Sequence, residues 1–561
     1  MTADERKLFE TVRRVRDHVA SDGRIDLEET EELLTLARRY ESVNAEMKAF
    51  AELLVEVRRD GIVDREESDR IIYHLDWLSR ELYAAEPETG FLGRFFRLNA
   101  SRTTFRTELI AGVTTFMTMA YILAVCPNIL SSAGVPSGGV FVATVGAAFV
   151  GTMLMALLAN YPFALAPGMG DIAFFAFSVV LGMGYSWQLA LLAVFCDGLV
   201  FLLLTLTSVR EKIFNALPFT LKKALAAGIG LFICFIALQN AGIVVKHPDT
   251  LVRMVPFCEV PFATRGITAV LAVVGTVLTA VMMMRGWKGA MLFGIILTWA
   301  IGMVCQAVGL YVPDPSVKCL SLYPTLSFDA LGSAFGQFGQ TFGAIFDPSG
   351  WSRTVDGEVV GSGWSLVRSL DFVIVVIAFL FVDLFNTLGT LVGVAMKGGF
   401  LAKDGRLPRV FGALCSDAVA TSVGAVLGVP TTTSYVESAS GVMAGGRTGL
   451  ASVVTAALFL LSLVLAPVFL AVPAFATAPA LIIVGCMMLS AAAEIDFGDM
   501  GEVLPAFLTI TVMPFAYSIS DGIMAGVISY TVIGLFSGRA KRTHWIMYVL
   551  TVLFILKYAF M

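Results

Sequence analysis

The chain has few charged residues for its length. Only 15% of its 561 residues are Asp, Glu, Lys or Arg, whereas 57% are hydrophobic, and the mean hydropathy is +0.80. In a soluble domain, about a quarter of all residues are charged. The net charge of -5 lacks the basic excess that a nucleic-acid-binding face requires. We therefore expect a protein of the lipid bilayer with no nucleic-acid partner.

Residues for catalysis and metal binding are also scarce. The chain has four histidines, and its eight cysteines show no CxxC or Cys/His metal spacing. No Ser/His/Asp set converges in a motif, and no Walker loop for ATP occurs. We expect neither an enzyme nor a primary pump, and no cofactor or metal site. Cys258 and Cys319, in two loops assigned outside the membrane, are interpreted as free thiols rather than as a disulfide.

The first ninety residues hold a large share of the charge. The start, MTADERKLFETVRRVRD, has no apolar core, so no signal peptide is expected. Two internal repeats follow, with the pattern D-G-x-[Ile/Val]-D-x-x-E. An Asp-Gly turn and a capping box, Asp26 with Glu29 and Asp64 with Glu67, explain this pattern. A calcium loop is disfavoured because most of its oxygen ligands are missing. The stretch resembles the helical domains of the tellurite-resistance TerB type, which predicts a soluble domain at 1–90 with an unknown partner.

Apolar stretches of about 20 residues, the length of a membrane-spanning helix, recur along the rest of the chain. Two groups of seven flank the polar loop 312–369, and an odd number reverses the second group, which predicts an inverted repeat. Basic residues before the first span and after the even-numbered spans place the N-terminus in the cytoplasm. The candidates lie near 107–127, 139–160, 165–181, 188–207, 221–240, 264–284 and 289–311, and near 371–393, 410–428, 431–444, 449–471, 476–493, 503–520 and 522–537.

These counts divide the chain into segments. We expect a first membrane repeat at 103–311, an extracytoplasmic loop at 312–369 and a second membrane repeat at 370–540. A C-terminal apolar segment, 541–561, is either a fifteenth span or an interfacial helix. The expected architecture is an all-α polytopic membrane protein with fourteen spans and a small N-terminal domain.

Two of the apolar segments are broken by Gly and Pro and carry acidic residues. They are LAPGMGDIAFFAF (165–177) and VLGVPTTTSYVESASGV (426–442), and each supplies the third element of its group. Such broken segments in corresponding places of two halves point to a transporter's substrate site. A further segment, FLFVDLFNTLGT, places Asp383 inside an apolar span, where an ionisable side chain is costly and marks a functional site. The chain is predicted to be a secondary transporter.

Several long motifs occur in one order from about residue 103 to the C-terminus. They are RTELIAGVTTFMTMAYILAVCPNIL, FVATVGAAFVGT, YPFALAPGMG, FVDLFNTLGTLVGVA, TTTSYVESASGVMAGGRTGL and VPAFLTITVMPFAYSISDGI. In these motifs the chain resembles the nucleobase-cation symporter 2 superfamily, in its branch of adenine, guanine and hypoxanthine permeases. The resemblance implies a fold similar to the uracil transporter type, in which a core domain (spans 1–4 and 8–11) moves against a gate domain (spans 5–7 and 12–14). It also implies proton-driven uptake of purine bases across a bacterial plasma membrane, and a homodimer.

The resemblance also implies a substrate site between the third, eighth and tenth elements. Glu437 matches the carboxylate that hydrogen-bonds the base, Asp383 matches a second acid of the site, and Tyr435 matches a contact to the base. A carboxylate accepts two hydrogen bonds in one plane, which suits the N–H groups of a purine. Asp383 is interpreted either as a proton carrier or as a partner that holds the third element in place. Proton coupling is assigned to Asp383 and Glu437, and their division of labour stays open. The predicted substrate-binding residues are Glu437, Asp383, Asn386, Asp171, Ile172, Tyr435 and Ser434.

Two departures from the branch stand in these motifs. The chain has Asp171-Ile172 where the branch has Leu-Asn, and Asn386 where the branch has Asp. We hypothesise that the site keeps its formal charge but relocates it, so that base selectivity or substrate class differs. Asp171 is interpreted either as a helix cap or as a substrate contact. The other acids in apolar spans are interpreted as structural; these are Asp197, Asp417 and Asp521.

Two other functions stay open from the sequence. Sulfate and bicarbonate carriers share this architecture, but three acids around one site would repel an anion. A membrane receptor that senses a base and signals through the N-terminal repeats would bind without accumulating its ligand.

Overall fold

The computed structural model describes most of the chain as helices joined by short strands. The described residues are 27–40, 45–57, 71, 90–207, 218–247, 249–257, 261–313, 321–323, 329–355, 358–400, 407–495, 498–538 and 543–560. The chain divides into two compact units, Met1–Glu108 and Leu109–Met561. The predictions for Cys258 and Cys319 and for the caps of the N-terminal repeats lie outside the described residues.

The N-terminal unit is helical in its described part. The helices are α1 (Leu27–Tyr40), α2 (Ala45–Val57) and α3 (Gly90–Phe96). The first two pack against each other, and Leu33 and Phe50 are fully buried. Their apolar residues recur at helical spacing, as in an amphipathic helix that buries one face.

The second unit begins within α4, and its first half consists of long apolar helices and one broken segment. The elements are α4 (Phe105–Met119), α5 (Ile122–Ser132), α6 (Ser137–Leu154, extended by a π-helix over Met155–Ala159), β1 (Leu165–Pro167), α7 (Met169–Ala173, extended by a π-helix over Phe174–Gly182), α8 (Trp187–Leu206), α9 (Phe219–Asn240), β2 (Val244–His247), β3 (Leu251–Met254), α10 (Ile267–Met284, preceded by a π-turn over Phe262–Gly266) and α11 (Ala290–Ala307).

The second half has the same character. Its elements are α12 (Asp329–Thr341), β4 (Ser352–Val355), β5 (Glu358–Ser362), α13 (Trp364–Val367), α14 (Leu370–Gly398), α15 (Val410–Leu427), β6 (Thr432–Ser434), α16 (Ser438–Met443), α17 (Gly449–Leu461), α18 (Ala466–Leu470), α19 (Ala474–Leu489), α20 (Met500–Phe515), α21 (Ile519–Phe536) and α22 (Trp545–Phe560). Short 3₁₀ turns cover Ala344–Phe346, Pro348–Gly350, Ser462–Leu465 and Ser490–Glu494.

Many of these helices suit a lipid environment. In the described part of the chain, nine helices are long and apolar enough to cross a membrane, and three shorter apolar helices accompany them. Large apolar side chains such as Leu203, Val277 and Phe515 lie exposed on their outer surfaces. A helix satisfies its own backbone hydrogen bonds, which lipid cannot do. The protein is therefore a multi-pass membrane protein.

The membrane helices pack in two sets. In one set, α6 packs on α12, α15 and α17, and α8 packs along α14 and α15. In the other, α9 packs on α19 and α20, α10 packs on α11 and α19, and α20 packs on α21.

The two broken segments meet at a short antiparallel strand pair. Strand β1 pairs with β6, with Leu165 opposite Ser434 and Pro167 opposite Thr432. Each strand is followed by a short helix, β1 by α7 and β6 by α16. Pro lacks the N–H that a helix needs, and β-branched Thr favours extended backbone. The strands satisfy each other's backbone groups, as non-helical chain inside a membrane protein must.

A hairpin from the long polar loop rests on the end of the first broken segment. Strand β4 pairs with β5, and the Thr354 N–H donates to the Gly184 carbonyl at 2.8 Å. Gly184 has a φ of 75°, and a Cβ atom there would overlap the Thr354 carbonyl oxygen. Only glycine suits this position, because it tolerates positive φ and leaves room for the neighbouring backbone.

Candidate functional site

The carboxylate of Glu437 lies directly before helix α16. The Tyr121 hydroxyl donates to Glu437 Oε1 at 2.8 Å. Tyr121 is fully buried at the break between α4 and α5, the two helices of the first apolar span. Glu437 itself is half-buried. One carboxylate oxygen is thus held by a tyrosine, and a carboxylate has further acceptor positions for a ligand.

Tyr435 connects the two broken segments. Its hydroxyl donates to the Pro167 carbonyl at 2.5 Å, and its backbone N–H donates to the Ala164 carbonyl at 3.1 Å. Its side chain is buried. These two bonds fix the chain between β6 and α16, and therefore fix the position of Glu437 two residues later.

Asp171 and Asn386 join the first broken segment to α14. The Asn386 side-chain amide donates to Asp171 Oδ2 at 2.9 Å, and Asp171 is fully buried. A Cβ atom on Gly168 would overlap Asp171 Oδ2 and Thr433 Cγ2, so the absence of a side chain at Gly168 makes room for this pair. Asp171 and Asn386, two of the three residues that depart from the branch pattern, are therefore hydrogen-bonded to each other.

Asp383 belongs to a buried polar cluster around the Thr387 hydroxyl. Thr387 Oγ1 lies 3.0 Å from Asp383 Oδ1, 2.8 Å from Asp417 Oδ2 and 2.9 Å from Thr433 Oγ1. The cluster joins α14, α15 and β6, and all four side chains are at most 1% exposed. Burial of carboxyl groups is costly unless polar partners surround them.

Ile172 and Ser434 are buried, and neither side chain hydrogen-bonds to these polar groups. Ile172 is fully buried in the apolar core. Ser434 is next to Tyr435 and Thr433 in an extended segment, and successive side chains of a strand point to opposite faces. Ser434 and Thr432 lie on the same face of the strand. Thr432 packs closely on α15, since a Cβ atom added to Gly424 of α15 would lie 2.7 Å from the Thr432 hydroxyl oxygen.

The geometry adds residues that were not predicted for the site. Tyr121 and Thr387 were not singled out, and Asp417 was interpreted as structural. All three hydrogen-bond to predicted site residues or to their neighbours. The signal for Asp417 was its charge inside an apolar span, which it shares with Asp383. The spacing of residues along the sequence does not show which distant helix a side chain will contact. Within the described residues, no three His, Cys, Asp or Glu side chains converge as metal ligands.

A broken segment from each half, together with α14, thus brings acidic and hydroxyl side chains together inside a membrane protein. The sequence pattern of the Permease family matches residues 106–525, which include all these elements. The chain belongs to the Permease family. This membership identifies a transporter rather than an enzyme, and it confirms the predicted assignment to the nucleobase-cation symporter 2 superfamily, in its adenine, guanine and hypoxanthine permease branch.

Named relatives match this permease over most of their length. The putative permease MJ0326 of Methanocaldococcus jannaschii is 43% identical over 84% of this chain and 99% of the relative. The guanine/hypoxanthine permease PbuG of Bacillus subtilis is 42% identical over 83% of this chain and 99% of the relative. The adenine permease AdeP of Escherichia coli is 38% identical over 84% and 96%.

Solved structures of more distant transporters share the fold. The transmembrane domain of the cyanobacterial bicarbonate transporter BicA is 14% identical, covers 75% of this chain and 97% of its own, and has a TM-score of 0.50. The murine anion transporter Slc26a9 in its inward-facing state is 12% identical, covers 77% and 68%, and has a TM-score of 0.52. At these identities the likeness concerns the fold alone.

Proposed function

We propose that this permease imports purine nucleobases with protons by alternating access. The observation that carries the proposal is the meeting of the two broken segments, β1 with α7 and β6 with α16, beside helix α14. Relatives at 38 to 42% identity are named guanine/hypoxanthine and adenine permeases, which supports the substrate class.

The base binds to Glu437 in this proposal. The Tyr121 hydroxyl occupies Oε1, which leaves Oε2 to accept an N–H of the purine ring. Tyr435 and the Asp171–Asn386 pair complete the polar lining and choose among bases. Ser434 and Ile172 support the site from the strand's other face and from the apolar core. Proton coupling is placed on the acids Asp383 and Glu437.

Transport follows from relative movement of the two helix sets. The set with α6, α8, α14, α15 and α17 is proposed as the core domain, and the set with α9, α10, α19, α20 and α21 as the gate. Fourteen spans in two inverted groups of seven, at 103–311 and 370–540, are proposed for the whole membrane part. A purine base is polar and crosses lipid poorly, and a site reached alternately from each side lets it cross without an open pore.

The cellular setting is proposed from the charge pattern and the family. The N-terminus lies in the cytoplasm of a bacterial plasma membrane, the loop 312–369 lies outside, and the segment 541–561 lies at the membrane. The domain at 1–90, of TerB type, is a regulatory appendage with an unidentified partner. Two copies of the chain form a homodimer.

An anion carrier is the second candidate, because a bicarbonate transporter shares the fold. The candidate site disfavours an anion as substrate. The carboxyl groups of Asp171, Asp383 and Glu437 lie on the converging elements, and negative charges on them would repel an anion. A base-sensing receptor is the third candidate, and it differs by binding without accumulation.

One competition assay tests the proposal. Vesicles containing the protein take up radiolabelled hypoxanthine along an inward proton gradient, while unlabelled adenine, guanine, xanthine, uracil or bicarbonate competes. We expect accumulation and competition by purines. Binding without accumulation would favour the receptor, and competition by bicarbonate alone would favour the anion carrier.

A further inference from the structure

The Thr387 hydroxyl has three close oxygen neighbours but only one proton to donate. Its oxygen lies 2.8 to 3.0 Å from Asp417 Oδ2, Thr433 Oγ1 and Asp383 Oδ1, all within hydrogen-bond distance. A threonine hydroxyl donates one hydrogen bond and accepts two. Thr387 therefore donates to one neighbour, and the other two neighbours must donate to Thr387.

The number of available protons decides which of these oxygens are protonated. Thr433 has a hydroxyl proton of its own, but an ionised carboxylate has none to donate. If Thr387 donates to Asp383, the close oxygen of Asp417 needs a proton, and the reverse holds if Thr387 donates to Asp417. If it donates to Thr433, both carboxyl groups need one. Where each contact is a two-centre hydrogen bond, at least one of the two aspartates is therefore protonated. A three-centre bond from Thr387 to both carboxylates is the alternative, and it would leave no protonated carboxyl group in the pair.

Two further acids lie on elements that pack against the pair. Asp171 on α7 interacts electrostatically with Asp417, and Asp197 is fully buried on α8, the helix that packs along α15. Helix α6 and strands β1 and β6, which also contact α15, contain no ionisable side chain, whereas α12 begins with Asp329.

Of the helices that pack on α14, α9 carries Lys222 and Lys223 in its first two turns and α21 carries Asp521. Asp171 and Asp197 oppose a second negative charge in the pair, which favours retention of one proton.

We propose that Asp383 and Asp417 hold one proton between them through Thr387, and that this pair is the proton carrier of the permease. The inference rests on the proposed function and changes one part of it: the proton partner of Asp383 is Asp417 rather than Glu437, which leaves Glu437 to bind the base. A proton from the outer solution forms one O–H bond with a carboxylate oxygen, and the same bond breaks when the proton leaves to the cytoplasm. Thr433 lies on β6, the strand that leads to Tyr435 and Glu437, so loss of the proton acts on the strand that presents the base.

Four variants in proteoliposomes test the pair. Asp417→Asn removes the proton site but keeps the size, and Thr387→Val removes the shared hydroxyl. Thr387→Ser keeps that hydroxyl and is its matched control. Ser416→Ala, beside Asp417 on the same helix, loses only a bond to the Gly412 carbonyl. Each protein is assayed for accumulation of radiolabelled hypoxanthine driven by one pH unit and for exchange at equal pH.

If the Asp383–Asp417 pair carries the proton, variants of the pair should lose proton-driven accumulation but keep exchange at equal pH. With one proton per base, one pH unit supports about tenfold accumulation in the parent protein and in Ser416→Ala, and Thr387→Ser, which keeps the hydroxyl, should accumulate more than Thr387→Val. Asp417→Asn and Thr387→Val should fall to a ratio near one while they still exchange hypoxanthine. Accumulation by Asp417→Asn at the parent level would overturn the proposal. If that variant fails to fold, parent-level accumulation by Thr387→Val would overturn it.

A second measurement separates this inference from the proposed function. The parent protein should show the infrared C=O stretching band of a protonated carboxyl group at neutral pH, and Asp417→Asn or Thr387→Val should remove or shift it. An unaltered band in both variants would overturn the shared proton. If the parent protein neither exchanges nor accumulates purines, the proposed function fails, whereas the infrared result still decides whether the pair holds a proton.

Discussion

Glu437 differs from the other acids of the site because it is half-buried, with the Tyr121 hydroxyl on one of its oxygens. Asp171, Asp383 and Asp417 are fully buried, and each accepts a hydrogen bond from, or shares one with, a side chain on another element or the next helical turn. A partly exposed carboxylate suits ligand binding, whereas fully buried acids suit proton storage and positioning.

Replacement of Glu437 tests its assignment to the base. In Glu437→Gln the side chain keeps its shape, but an amide N–H₂ replaces one acceptor oxygen. Hydrogen bonds to charged groups contribute about 1.5–3 kcal/mol, so hypoxanthine affinity should fall about 10- to 100-fold by calorimetry on the purified protein. Glu502→Gln, at the start of α20, is the control and should bind normally. Equal affinity of Glu437→Gln and the parent protein would refute the assignment.

The contribution of the Asp171–Asn386 hydrogen bond to stability can be tested by swapping the two residues. Asn386→Leu removes the donor and leaves a buried carboxyl group with fewer partners, which should lower the free energy of unfolding by about 2 kcal/mol. The exchange variant Asp171→Asn/Asn386→Asp reverses donor and acceptor and should melt near the parent protein. Thermal unfolding in detergent measures both. Unchanged stability of Asn386→Leu, or equal losses in both variants, would show that the bond contributes nothing.

The hairpin of β4 and β5 is the least expected element near the site. Arg353 Nη1 lies 2.5 Å from Asp371 Oδ2, in the first turn of α14, and Arg353 Nε donates to the Met183 carbonyl at 3.3 Å. The hairpin therefore connects the end of the first broken segment to the start of the helix that holds Asp383. The loop 312–369 has few apolar residues in a regular pattern, so its contacts could not be predicted.

Loss of Arg353 should loosen this connection. In Arg353→Ala the ion pair and the bond to Met183 are removed, and exchange of the Thr354 and Ser186 backbone N–H groups should quicken by about tenfold, the equivalent of 1.4 kcal/mol. Hydrogen exchange with mass spectrometry measures this. Arg368→Ala replaces an exposed arginine nearby and is the control. Equal exchange in the two variants would mean that Arg353 does not hold the hairpin.

The broken segments show how far sequence patterns reach at the level of elements. Pro167, Pro430 and the neighbouring glycines and threonines predicted where helix would fail, and strands β1 and β6 lie there. The antiparallel register between them could not be predicted, because the two strands are far apart in the chain. Tyr121 was missed for the same reason, since its partner Glu437 is 316 residues away.

For the whole molecule, composition and periodicity predicted a polytopic helical membrane protein, and the described helices and the family membership confirm it. The count of fourteen spans stays a prediction, as does the cytoplasmic N-terminus. Periodicity gives the length of each apolar segment, but short elements such as α7 and α16 do not span a bilayer alone. Which helices move together depends on packing between distant segments, and a pattern along one chain does not contain that information.

The central claim is that a purine ring binds where the two broken segments meet. A structure of the purified protein with hypoxanthine tests this directly. We predict that the ring lies beside Tyr435 with a ring nitrogen about 3 Å from the Glu437 carboxylate, while Tyr121 keeps its bond to Oε1. A ring bound elsewhere, or one that leaves Glu437 without a contact, would contradict the account.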